Sequence, residues 1–134
     1  MNKQEIIKKV EKSGLKFKVV VSSVSALVLH GIIEETKIDR VECYVKDLYY
    51  NSLKKELIEE GYKFKPTELG EGYIEYKGMH IHFNKNAVDN AYIETETYIC
   101  YALVEDILKE YKDVCKIYKS KYEKKCKMIE EYIK

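Results

Sequence analysis

Apolar positions along this chain follow two rhythms, a helical spacing and short runs suited to strands. From Asn2 to Ser13, Ile6, Ile7 and Val10 mark one side of a helix that Gly14 stops. Lys16 to Val21 is an apolar strand, and a helical pattern follows from about Ser23 to His30, with Ser22 or Ser23 as its natural N-cap. The loop Gly31 to Lys37 leads to a second strand, Asp39 to Val45. Asp47 caps a helix through Glu60 in which Leu48, Leu53, Leu57 and Ile58 recur at helical spacing, and Gly61 ends it. Pro66 and Leu69-Gly70-Glu71-Gly72 mark turns. Tyr73-Ile74-Glu75-Tyr76 and Met79-His80-Ile81-His82-Phe83 read as a hairpin across Lys77-Gly78, and Ala91-Tyr92-Ile93 as a further short strand. From Glu96 onward the chain reads as helical. One helix, capped by Thr95 or Thr97, runs to about Val114 with Ile99, Leu103, Ile107 and Leu108 inward. A second covers Ser120 to Ile133, with Tyr122, Cys126, Ile129 and Ile133 on one stripe.

This order of elements predicts an α/β (α+β) fold, a small mixed sheet flanked by helices with a helical pair from about residue 96, in one domain spanning 1–134. A chain that is 46% hydrophobic and 35% charged is ordinary for a globular protein and excludes global disorder. The formal charge of +1 gives no overall bias toward nucleic acid or membrane. No run approaches the roughly 20 apolar residues of a membrane span, and the N-terminal residues lack a signal-peptide apolar region, so a cytoplasmic location is the expectation. Cys43, Cys100, Cys115 and Cys126 show no metal or redox spacing and read as reduced thiols. Thirteen tyrosines without a tryptophan reflect compositional bias more readily than a tyrosine-specific function.

The segment Val20-Val21-Ser22-Ser23-Val24-Ser25-Ala26-Leu27-Val28-Leu29-His30-Gly31 resembles the opening of minimal nucleotidyltransferases, where Gly-Gly or Gly-Ser precedes Ala-Leu-x-Leu-His-Gly. The tail is similar to the small antitoxin and abortive-infection members of that group, through Glu105-Asp106-Ile107-Leu108-Lys109, the lysine-rich stretch after it, and Ile129-Glu130-Glu131-Tyr132-Ile133. The resemblance implies a nucleotidyltransferase-like fold, a phosphate-binding turn and Mg²⁺ held by acidic residues. Aligned on His30-Gly31, the small pair falls on Ser23 and Val24. Serine is small enough for phosphate to approach, whereas the branched valine crowds it.

The acidic strand departs further. Two carboxylates at i and i+2 share one face of a strand and can hold Mg²⁺. One register places those positions on Ile38 and Arg40, the other on Asp39 and Val41, and neither makes a metal pair. Asp39 and Glu42, at i and i+3, fall on opposite faces. The later strand Lys77 to Asn84 has no acid, and histidine is a poor magnesium ligand. The active site therefore reads as degenerate, with no metal and no cofactor expected, or Mg²⁺ if the site is active. Ser22, Ser23, Lys37 and Arg40 are the candidate nucleotide or phosphate ligands, with Arg40 and Lys37 supplying charge in place of a cation.

Other candidates weigh against plainer roles. His80 and His82 could hold Zn²⁺ with a third ligand such as Glu75, although a sheet-surface role is the more ordinary one. His30 fits a helix end packing against its loop. Lys116, Lys119, Lys121, Lys124, Lys125 and Lys127, with Tyr118 and Tyr122, could meet a nucleic-acid backbone and its bases, or form a solvated helix face.

Three functions follow. The leading one is a non-catalytic binding protein, with a protein partner or with a nucleotide or nucleic acid, in a toxin–antitoxin, abortive-infection or mobile-element defence or counter-defence system. The second is an active Mg²⁺-dependent transferase acting on RNA, protein or a small molecule through Ser22 or Ser23, Asp39, Glu42 and Glu75, which needs a strand bulge. The third is an oligomeric scaffold joined through Tyr101, Tyr111, Tyr118 and Tyr122.

Overall fold

A computed structural model of the chain describes residues 1–67, 71–84, 91–93, 96–115 and 123–133. Helix α1 (Lys3–Ser13) begins where Asn2 accepts the Glu5 N–H and Glu5 answers on the Asn2 N–H, and ends at left-handed Gly14. Strand β1 (Val19–Val21) runs into α2 (Ser23–Leu29), then β2 (Val41–Val45), a 3₁₀ turn at Asp47–Tyr49 and α3 (Tyr50–Glu59). The hairpin β3 (Gly72–Tyr76) and β4 (Met79–Phe83) turns on Lys77 and Gly78, both at positive φ, as a two-residue hairpin requires. Strands β5 (Ala91–Ile93) and β6 (Cys100–Ala102) precede α4 (Val104–Cys115) and α5 (Glu123–Ile133).

These strands form one mixed sheet in the order β3-β4-β2-β1-β6-β5. β1 lies antiparallel to β2 and parallel to β6, while β2 lies parallel to β4. The mixed α/β class expected from the sequence is the one observed.

Alternation along the strands sorts the sheet's residues. Val41, Cys43 and Val45 of β2, with Met79, Ile81 and Phe83 of β4, are all buried and join Ile6 and Val10 of α1 and Leu53 and Leu57 of α3 in the core. Each such aliphatic side chain contributes about 1.5–3 kcal/mol when fully buried. β1 is buried at all three positions, as befits a strand inside the sheet. The opposite parity of β2 and β4 carries Glu42, Tyr44, His80 and His82.

Several expectations need correction. Residues after Glu96 are not all helical, since Cys100–Ala102 is a strand and the helix starts only at Val104. The short run there finds two partners, β1 and β5, and their ladder outweighs local helical periodicity. Ile99 and Ile107 are buried as expected, but Tyr111 is buried with them. The four-tyrosine surface patch therefore fails at Tyr111, and Tyr118 and Tyr122 lie outside the described residues. The first strand is shorter than expected and leaves Phe17 exposed, and β2 starts at Val41, beyond Asp39. Asp47 opens a 3₁₀ turn, which rotates Leu48 outward to 82% exposure, and Ile58 and Ile133 are exposed too. Among the described residues no helix is long and apolar enough to cross a membrane.

Candidate functional site

The register of three strands builds a polar face. Parallel pairing sets Glu42 opposite His80 and Tyr44 opposite His82, and the β3–β4 hairpin sets His80 opposite Glu75 and His82 opposite Tyr73. Helix α2 fixes β2 beside it. The Glu42 N–H donates to Ser25 Oγ at 2.9 Å, and the Ser22 N–H donates to the Glu42 carbonyl at 2.9 Å.

At the centre, Glu42 Oε2 and His82 Nε2 are 3.3 Å apart. The other oxygen, Glu42 Oε1, accepts from Arg40 Nε at 3.2 Å, and Arg40 Nη1 reaches Glu75 Oε1 at 3.1 Å. One guanidinium thus spans two carboxylates. The Glu42 side chain is only 12% exposed. Burial works to raise its pKa, but the His82 hydrogen bond and the charges of His80, His82 and Arg40 outweigh it and hold the carboxyl below its ordinary range.

His80 lies deeper. Its Nδ1 is 3.4 Å from Glu75 Oε1, but the alignment is too poor to close a hydrogen bond, and the atom is buried without one. Burial pushes the His80 pKa down, against the pull of Glu42, so the neutral ring is favoured. Tyr73 stacks on His80 with centroids 4.2 Å apart, and the His82 ring stands edge-on to His80 at 4.7 Å. One ligand atom from each of Glu42, His80 and His82 falls within 4.8 Å of the others. Glu110 of α4 feels both His82 and Glu42. Desolvation pushes its carboxyl up, although the residue as a whole keeps an exposed surface.

The expected site residues divide. Glu42 and Arg40 enter the cluster, at i and i+2, a pairing that neither sequence register contained. Asp39 does not. It is exposed and held by Lys9 of α1 at 3.0 Å. Lys37 is exposed on the loop before β2. Ser22 takes the N-cap position of α2 without a side-chain capping bond, and its N–H is tied to β2. Ser23 has left-handed backbone, φ 53°, and its Oγ shares a 3.1 Å hydrogen bond with the Tyr111 hydroxyl. His30 Nε2 sits 2.7 Å from the Ala102 carbonyl and its ring meets Tyr101 edge-on, so it ties the end of α2 to β6. Lys124 is exposed on α5 and Lys125 is half-buried over the Tyr111 ring, while Lys116, Lys119 and Lys121 lie outside the described residues.

Sequence reasoning missed Tyr73, Ser25 and Glu110. Tyr73 was readable, because a two-residue turn at Lys77-Gly78 forces 75 opposite 80 and 73 opposite 82. No protein-family model, curated protein sequence or solved structure matches the chain.

Proposed function

We propose that this chain is a nucleotidyltransferase-like protein that works by binding rather than by Mg²⁺-dependent nucleotidyl transfer. The observation that carries the reading is Arg40, whose guanidinium spans Glu42 of β2 and Glu75 of β3, the strands on either side of β4, where such an enzyme needs a divalent cation between carboxylates. The guanidinium takes one oxygen of each acid, so the two carboxylates do not converge on a magnesium ion. The neighbouring strand supplies imidazoles instead of a further carboxylate, and Asp39 is turned to Lys9.

Support for the resemblance itself comes from the run β1, α2, β2, with left-handed backbone at Ser23 where the family places a small residue. The partner is a protein in this reading. Phe17, Leu48 and Ile93 are all exposed and line one shallow cavity of about 360 Å³ with Tyr49 and Ala91, the kind of apolar surface that partner proteins cover. By resemblance, its setting is toxin–antitoxin, abortive-infection or mobile-element defence and counter-defence.

Isothermal titration calorimetry of the purified chain against ATP, GTP, CTP and UTP, with and without Mg²⁺, tests the reading. No magnesium-dependent binding is expected. Saturable binding that requires Mg²⁺ and is lost in Glu42→Gln would overturn it in favour of an active transferase.

A further inference from the structure

We propose that Glu42, His80 and His82 form a binding site for a transition-metal dication, with Zn²⁺ as the best match. The inference stands on these three side chains and does not depend on the nucleotidyltransferase-like reading.

The donor set selects the ion. Two imidazoles and one carboxylate suit zinc and its neighbours and are a poor set for magnesium or calcium, which demand oxygen ligands. Geometry agrees. Metal–ligand bonds of about 2.0–2.1 Å in a tetrahedron place neighbouring ligand atoms about 3.3 Å apart, and Glu42 Oε2 and His82 Nε2 are 3.3 Å apart. His80 closes the set within 4.8 Å.

A buried ring nitrogen without a well-aligned hydrogen bond is costly in a folded protein. His80 Nδ1 is such an atom, in a residue 6% exposed, with Glu75 Oε1 in poor alignment 3.4 Å away. A bond to the ion would give the buried His80 ring a strong polar partner, and Tyr73, stacked on its face, holds the ring's plane.

The surroundings supply what metal ligands normally need. Arg40 holds Glu42 Oε1 and so leaves Oε2 for the ion, an outer contact of the type that orients ligating carboxylates. With neutral imidazoles the cluster of Arg40, Glu42, Glu75, His80 and His82 carries a single net negative charge, so a dication is attracted. The His82 side chain is 41% exposed and gives the ion a route in from solvent. Three protein ligands leave a fourth tetrahedral position for water or an external ligand.

The test uses the whole chain, stripped with chelator and titrated with Zn²⁺ against a chromophoric competitor. One equivalent should bind. His82→Ala and Glu42→Gln should each weaken binding by about tenfold or more, while His30→Ala, outside the cluster, should not. His80 is buried, so the two half-exposed or isosteric variants are preferred, with circular dichroism to confirm that they fold. Co²⁺ should give tetrahedral ligand-field bands without a thiolate charge-transfer band. Absence of saturable uptake, uptake unchanged in both variants, or a thiolate band placing the ion on a cysteine would each overturn the proposal.

Discussion

Ser23 offers a prediction in which strain and hydrogen bonding can be separated. Its φ of 53° puts an L-residue in the left-handed region, which costs about 1–2 kcal/mol relative to glycine. Its Oγ shares a 3.1 Å hydrogen bond with the buried Tyr111 hydroxyl, worth about 1 kcal/mol net. Ser23→Ala keeps the strain and loses the bond, so it should destabilise the fold by about 1 kcal/mol. Ser23→Gly loses the same bond but removes the strain, while the freer unfolded chain takes back about 0.4–1 kcal/mol. The glycine variant should therefore lie close to wild type, about 1 kcal/mol above the alanine variant. Urea denaturation followed by circular dichroism measures all three, and the m-value checks that the unfolded state is comparable. In a Tyr111→Phe background, Ser23→Ala should have almost no further effect, because the bond is already gone. An alanine variant as stable as the glycine variant would refute the left-handed assignment at Ser23. A full 1 kcal/mol loss from Ser23→Ala in the Tyr111→Phe background would refute the hydrogen bond.

Further predictions concern other parts of the fold. A Cβ on Gly72 would lie 2.6 Å from the Lys65 carbonyl oxygen and 2.5 Å from the Phe64 ring, and backbone cannot step aside as a flexible side chain can. Gly72→Ala should lose about 1–3 kcal/mol in urea melts, and a neutral result would mean the β3 edge does not pack in this way. The Tyr50 phenol donates to Glu71, and burial together with that carboxylate pushes its pKa up to about 12. A folded pKa above the unfolded value of about 10 means that this contribution is intact below pH 10 and is lost as pH rises through 12. Phenolate absorbance should show a late-titrating tyrosine that Tyr50→Phe removes; persistence of that phase in the variant would place it elsewhere. Leu48, 82% exposed, should tolerate Leu48→Ser within about 0.5 kcal/mol, and a larger loss in a urea melt would show that Leu48 packs within the fold.

How far the site could be read from the sequence depends on the range of the contacts. The β3–β4 half was legible, because hairpin register follows from a two-residue turn and alternation then puts Tyr73, Glu75, His80 and His82 on one face. The third ligand was not. Glu75 is the nearest acid along that hairpin, yet Glu42 is the one that meets His82, because β4 pairs in parallel with a strand nearly forty residues earlier. Parallel register has no short turn to set it. Arg40 and Asp39 show the same limit, since one residue of offset decides which of the two points to the cluster and which to Lys9.

The sequence by itself determined the elements whose signals are local. The capped first helix, the β1–α2 junction, the hairpin and the alternation of core and polar residues in β2 and β4 all follow from propensity, turn chemistry and periodicity. Tertiary structure alone decided the strand at Cys100–Ala102, the burial of Tyr111 and the meeting of Glu42 with His80 and His82. Each of these depends on pairing between segments far apart in the chain, whose free energy comes from surfaces that exist only after the sheet has assembled.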